Sequence, residues 1–374
     1  MKQMITRQKV TIILLGLAAC ALSWFPLGFL SPARAADEVI KLKAASPPHP
    51  VTHRLTKDAY QLWADEIEKR TNGRVKITWF FGESLVKCSQ SYEALQSGVV
   101  DVCVIAAWNY PHIFPIVEGL SMPFMLEGSA QSADTAWKMF QTMPEMQAEM
   151  KDLKFMGAFT TDVINLALKD GKIVKTLDDM KGLRVAVGSG LMAETAKLMG
   201  MAPQPVGYAD VYMALHRGMA EATFFPNAPL RSYKVTEVTN VHVMGGFKCD
   251  PMVFAMRLDT WKKLPPEVQK VFEELTPSMS RLCGHTLTNE GAWVMEELQK
   301  RGDQFYTPPP EEAARWKQAV MPMYRAWMDK LNSLSMNGQS INDRISAIAK
   351  DTKGAASPED EWWQQGRIGK RTEK

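Results

Sequence analysis

Two groups of residues carry spacings that could do chemistry. Gly188-Ser189-Gly190-Leu191-Met192-Ala193 spells G-x-G-x-x-A directly after the apolar run 183–187, and Asp210 follows about twenty residues later, where a dinucleotide fold places its ribose-binding acid. His49 and His53, in PPHPVTH, are four residues apart, a spacing that would put two imidazoles on one helix face as a metal pair. Each has a plainer reading. Asp210 stands just before VYMAL and suits a helix N-cap. Pro50 makes a regular helix between the histidines doubtful, so they read as part of a surface loop near a cleft rim. No G-x-S-x-G elbow, Walker loop, H-E-x-x-H or four-cysteine pattern occurs, so no catalytic residue, metal or cofactor is expected.

The amino terminus decides the compartment. Lys2, Arg7 and Lys9 precede an apolar run over 10–30, and Ala33-Arg34-Ala35 supplies a small-x-small cleavage signal. Residues 1–35 therefore read as a cleavable export signal. A membrane anchor over 10–30 and a lipoprotein cleavage at Cys20 are the alternatives; Asp37-Glu38 just past the signal favours removal. Removal takes four of the 44 basic residues and none of the 41 acidic ones, leaving 40 against 41. Such a balance points away from nucleic acid or an anionic membrane as partner. The remaining length, roughly 340 residues, suits two α/β domains rather than one. Cys88, Cys103, Cys249 and Cys283 have no metal-like spacing, and Cys103 within VVDVCVIAA reads as a buried thiol; whether the others pair stays open.

The elements that must position any site follow from hydrophobic period. Alternation predicts strands over 38–45 and 74–80, and a continuous apolar run predicts one over 99–106, with helices over 55–69 and 91–97 between them. That order implies a parallel sheet covered on both faces. After Met122-Pro123-Phe124 the pattern restarts, with a helix over 134–151 and strands over 154–158, 162–168 and 183–187. Helices over 191–199 and 210–217 and strands over 220–225, 240–244 and 251–258 follow, the last crossing back into the first domain. Helices are expected over 260–275, 278–301 and 311–331, then a polar, mobile tail containing Trp362-Trp363.

These stretches resemble the extracytoplasmic solute-binding proteins of TRAP transporters. The residues that carry the resemblance are NGRVKITWF, ESLVKCSQSYEALQSGVVDV, FPIVEGLSMPF, LDDMKGLRVAV, MGMAPQPVGYADVYMALHRGMAEATFFP and LDTWKKLPPEVQKVFEEL, in the family's order over about 41–275. The resemblance implies an α/β, two-lobed periplasmic binding protein with crossing hinge strands, a cleft between the lobes and a long bracing helix. It places lobe I at 37–163 plus 252–291, lobe II at 164–251 plus 292–345, and the tail at 346–374. It further implies a periplasmic monomer that delivers a small organic solute to TRAP membrane permease subunits and performs no chemistry on it. A receptor serving a sensor, or an enzyme on the same scaffold, are the alternatives.

Carried over residue by residue, the family pattern is broken where it usually binds a carboxylate. The arginine of K-G-L-x-x-R-V-P falls at Ala186, a second common arginine falls near Leu166, and an amide on the strand ending in E-N-P falls at Phe225. An acidic contact of sugar-acid binders falls at Ala106. Arg184 lies two residues before Ala186, about 6.6 Å toward the far end of the strand. The expected solute contacts are therefore Ser46, Trp108, Asn109, Leu166, Ala186, Ser189, Tyr208, Phe225, Asn227, Lys248 and Asp250. A site without its buried arginine desolvates a bare carboxylate at a cost of several kcal/mol. The expected solute is accordingly a relatively apolar or aromatic organic acid, not a C4-dicarboxylate, with Lys248 or the helix start at Ser189-Gly190 taking its anionic group.

Overall fold

The computed structural model describes residues 38–169, 173–354 and Trp363; the stretch 1–35, expected to be an export signal, and the rest of the tail beyond Gly354 lie outside these residues. Eleven strands among them form two sheets. The strands are β1 (Ile40–Ser46), β2 (Val75–Phe81), β3 (Val102–Ala106), β4 (Leu153–Thr160), β5 (Ile164–Leu168) and β6 (Arg184–Val187). They continue with β7 (Ala202–Pro205), β8 (Ala222–Pro226), β9 (Val241–Lys248), β10 (Pro251–Arg257) and β11 (Gln304–Tyr306).

The first sheet has the order β2-β1-β3-β10-β4 and the second β11-β9-β5-β8-β6-β7. β1, β2 and β3 run parallel, while β10 arrives from the second sheet and inserts antiparallel between β3 and β4. Every side chain of β3 is buried, as expected of a central strand covered on both faces. The chain crosses between sheets twice, after β4 and after β9. The crossings are tied to each other: Thr161 N donates to Asp250 O at 2.7 Å, and Asp250 N donates to Thr161 Oγ1 at 2.9 Å.

Among the described residues, six helices of nine residues or more cover or brace these sheets: α1 (Leu62–Arg70), α2 (Ser129–Thr142), α3 (Gly190–Leu198), α4 (Pro266–Arg301), α5 (Pro310–Ser333) and α6 (Gly338–Asp351). α4 is 36 residues long, about 54 Å at the helical rise of 1.5 Å per residue, and runs under both lobes. Its first half packs Phe272, Leu275, Met279 and Leu282 into the first lobe's core, and its second half packs Val294, Met295 and Leu298 into the second's. Two helices separated at Pro277 are expected from sequence; the structure has one. Proline inside a helix costs about 3 kcal/mol, and burial of four large apolar side chains around it, at about 1.5–3 kcal/mol each, outweighs that.

α5 is a second brace. Trp316, Val320 and Met323 enter the second lobe's core, whereas Tyr324, Trp327 and Leu331 enter the first's. The block 292–345 expected in lobe II is thus divided between the lobes. α6 goes unrecognised in the sequence and overruns the expected tail boundary at 346. It packs Ile341 and Ile345 on the first lobe. The helix expected over 134–151 breaks at Met143, because Pro144 forces its predecessor into extended geometry (φ −113°, ψ 105°). The four cysteines among the described residues, Cys88, Cys103, Cys249 and Cys283, are free, and the last three are buried. Trp363, from the expected mobile tail, is buried in the first lobe's core beside His285. Among the described residues no helix is long and apolar enough to cross a membrane.

Candidate solute-binding site

Parallel strands leave their carboxyl ends free, and ligands bind in the crevice just beyond them. The residues just past β1, β3 and β8 all reach one cavity between the lobes. From the first lobe come Pro48, His49 and His53 after β1, Trp108 after β3, and Leu287 of α4; the second lobe adds Tyr208, Pro226, Pro229 and Tyr233, and the crossing segment adds Thr161 and Asp162. The cavity volume is about 30 Å³.

Aromatic rings dominate its wall. Trp108 meets Tyr208 edge-on across the cleft at 6.4 Å between ring centroids. Phe225 packs behind, edge-on to Tyr208 at 5.3 Å and to Tyr233 at 5.7 Å. Tyr233 Oη donates to Pro48 O at 2.9 Å, a bond from one lobe to the other. Gly188 explains how Tyr208 comes so close to the end of β6: a Cβ there would lie 2.9 Å from the tyrosine ring. The G-x-G-x-x-A match therefore marks a strand-to-helix turn that makes room for a side chain. Ser189 caps α3, its Oγ accepting from Met192 N at 3.3 Å, and Asp210 holds the N-cap position of the helix Val211–His216 without a capping hydrogen bond.

An ion pair stands directly behind the cavity wall. Tyr208 Oη donates to Asp250 Oδ2 at 3.1 Å, and Lys248 Nζ lies 2.7 Å from Asp250 Oδ1. Lys248 and Asp250 are 1% and 0% exposed. The lysine is close enough for an ion pair, but its angles make no hydrogen bond. Burial, then Asp250, pushes the Tyr208 phenol well above its ordinary range, so it stays a donor. Arg184 is exposed beside Glu221 at 3.4 Å, and no arginine or lysine among the described residues lines the cavity.

The surface loop expected at His49 and His53 is instead buried wall. The rings lie 4.7 Å apart, 5% and 4% exposed. The loop is pinned from below: Ser46 Oγ lies 2.8 Å and Tyr60 Oη 3.1 Å from His49 Nδ1, and Gly82 N donates to His49 O at 2.9 Å. Leu55 N donates to His53 Nδ1 at 3.2 Å. Burial lowers His53 to about 4; burial, then the neighbouring His53, lowers His49 well below its usual value. Both imidazoles are neutral at pH 7. Asp162 faces the opposite pressure: burial pushes its carboxyl up to about 7, while the Val163 and Ala228 amides pull it down. No group of three or more histidine, cysteine or acidic residues is placed to hold a metal among the described residues.

Of the expected contacts, Trp108 and Tyr208 line the cavity. Ser46, Phe225 and Asp250 stand behind lining residues and bond or pack against them. Ala186 is buried in the second lobe beside Phe225. Leu166 points to the other face of its strand, among Val185, Val187 and Phe224, so its neighbour Asn165 faces Asn227 instead, with Nδ2 donating to Oδ1 at 3.1 Å. Asn109 sits exposed at the rim, donating to Cys88 O at 3.3 Å. Lys248, expected to take the solute's anionic group, is held by Asp250 away from the wall. Tyr233 and Asp162 were missed because nothing in their local sequence marks a cleft.

Gly291 of α4 lies against Asp162, where an added Cβ would stand 1.9 Å from Oδ2. Glycine to alanine in an open helix gains up to about 1 kcal/mol. Here overlap wins, and Gly291→Ala is expected to lose roughly 1–3 kcal/mol in urea unfolding; an unchanged or raised midpoint would contradict the contact.

Two α/β lobes, joined by paired crossings, braced by two helices and closed over an aromatic cavity at strand ends, define a two-lobed solute-binding protein. A family model described as bacterial extracellular solute-binding protein, family 7, matches residues 47–331, and the chain belongs to that family, the solute receptors of TRAP transporters. The chain is 23% identical over 245 residues to a solute-binding protein of Verminephrobacter eiseniae, covering 65% of this chain and 73% of that one. It is 19% identical over 292 residues to the sialic acid-binding periplasmic protein SiaP of Vibrio cholerae, covering 77% and 87%. Among solved structures, a TRAP solute-binding protein of Rhodoferax ferrireducens in complex with copurified benzoate superposes with a TM-score of 0.77 at 22% identity, over 84% of this chain and 98% of that one. One from Bordetella bronchiseptica with bound mandelate gives 0.75 at 22% identity, over 83% and 99%.

Proposed function

We propose that this chain captures a relatively apolar or aromatic organic acid in the periplasm, closes its lobes around it as a monomer and delivers it unchanged to the TRAP membrane subunits. The observation that carries this reading is a cavity walled by Trp108, Tyr208 and Tyr233 with no arginine or lysine on it among the described residues. Burying an aromatic ring of about 150 Å² returns roughly 4 kcal/mol at 25 cal/mol per Å². A small diacid has no ring to offer and two carboxylates to desolvate. The benzoate and mandelate held by structural neighbours support the solute class. Thermal-shift titration of the purified mature chain tests it. Benzoate or mandelate is expected to raise the midpoint by linkage, succinate is not, and Tyr208→Ala should shrink the shift. Stabilisation by succinate alone would overturn the reading.

A further inference from the structure

The proposed solute is an acid, yet among the described residues the wall that must receive its carboxylate offers no cation. Lys248 is paired with Asp250, behind Tyr208, and Arg184 with Glu221, and neither cation is a lining residue. What the wall does offer is the imidazole pair. His53 Nδ1 accepts the Leu55 backbone amide, which leaves the ring proton on Nε2. That Nε2 has no protein partner among the described residues, and His53 lines the cavity. Its neighbour His49 is held by Ser46 and Tyr60 at Nδ1, so the ring is braced from behind.

We propose that His53, braced by His49, receives the solute's acceptor oxygen through a neutral Nε2–H donor, in the role that the family resemblance gives to an arginine. The site then recognises a hydrogen-bond acceptor on an aromatic body more than it recognises negative charge. Asp162 on the same wall acts in the same sense: when ionised it repels a bound anion and leaves a neutral acceptor unaffected. An aromatic primary amide, isosteric with the carboxylate, becomes a competent solute. A hydrogen bond to a charged acceptor exceeds one to a neutral acceptor by roughly tenfold in affinity, which sets the expected discrimination; a buried arginine fork would discriminate far more.

This inference rests on the aromatic-acid reading, and the experiment separates the two. Calorimetric titration of the mature chain with benzoate and with benzamide at pH 7.5 is expected to give dissociation constants within about tenfold of each other. His53→Phe should weaken both by roughly tenfold or more, whereas His53→Gln, which keeps an N–H near the Nε2 position, should retain most of the affinity. Benzoate binding with benzamide more than a hundredfold weaker overturns the inference and leaves the reading intact. Unaltered binding of both by His53→Phe does the same. If neither aromatic binds while a dicarboxylate does, the reading falls and the inference with it. The benzoate-to-benzamide ratio is read on the unmodified chain, so the outcome does not depend on whether His53→Phe folds.

Discussion

Asp250→Ala is expected to destabilise the protein by about 3–5 kcal/mol, the cost of leaving one partner of a buried ion pair uncompensated. Lys248 is 1% exposed, and the Asp250 carboxylate is its ion-pair partner, 2.7 Å away. The same carboxylate accepts from Tyr208 Oη at 3.1 Å and from Ser121 Oγ at 3.4 Å, so the substitution also strands a half-buried and a buried hydroxyl. In a chain of this length the thermal midpoint should fall by roughly 5 °C or more. The double variant Lys248→Met with Asp250→Asn removes both charges and keeps an acceptor for Tyr208, and should recover most of the loss, because a neutral pair of similar volume is often no worse than a buried ion pair. If the double variant is as unstable as Asp250→Ala, the stranded ammonium is not the cause. The position matters for function as well, since Tyr208 is a wall residue and Asp250 lies on a crossing segment.

The second large effect is acid lability from His53. Its folded pKa is about 4 against an ordinary 6.5, because burial disfavours the charged ring. Above pH 6.5 the ring is neutral in both states and adds no pH dependence. Between 6.5 and 4 the unfolded chain takes up a proton that the folded chain refuses, so stability falls as pH falls, by at most about 1.4 kcal/mol per pH unit and about 3 kcal/mol over the window. His49, also lowered, acts in the same direction. Asp162 and Glu149, raised by burial to about 7 and about 8, act in the opposite one: the folded state holds their protons first, so they favour the fold as pH drops from those values toward the ordinary carboxylate range. The clean observable is therefore a difference. Unfolding free energies at pH 6.5 and pH 4 are expected to diverge by about 3 kcal/mol more for the unmodified chain than for His53→Gln. Parallel curves would show that His53 titrates normally.

Much of the fold was legible because its causes are local. Alternation in IKLKAAS and VKITWFF fits strands buried mainly on one face, and the unbroken VCVIA fits one buried on both. The order of these elements implies parallel pairing, and the absence of an arginine at 186 is visible in the sequence itself. Helix continuity through Pro277 was not legible, because what holds the helix together there is burial of Phe272, Leu275, Met279 and Leu282 against strands far away in sequence. α6 carried a usable signal in Ile341 and Ile345 at helical spacing, though polar neighbours obscured it.

The site divides along the same line. Trp108 and Tyr208 could be placed on the wall because the family resemblance carries both to solute contacts, and Trp108 also follows a predicted strand whose carboxyl end faces the cleft. By itself, the sequence led to an α/β solute-binding protein with alanine at 186, where the family resemblance places a carboxylate-binding arginine. Only the tertiary structure decided what stands in its place. It turned PPHPVTH from a surface loop into buried wall, directed Lys248 to Asp250, and turned the G-x-G-x-x-A glycine into space for the Tyr208 ring. The reason is physical: a side chain's charge state and reach depend on what buries it and what pairs with it, and those partners lie tens to hundreds of residues away in the chain.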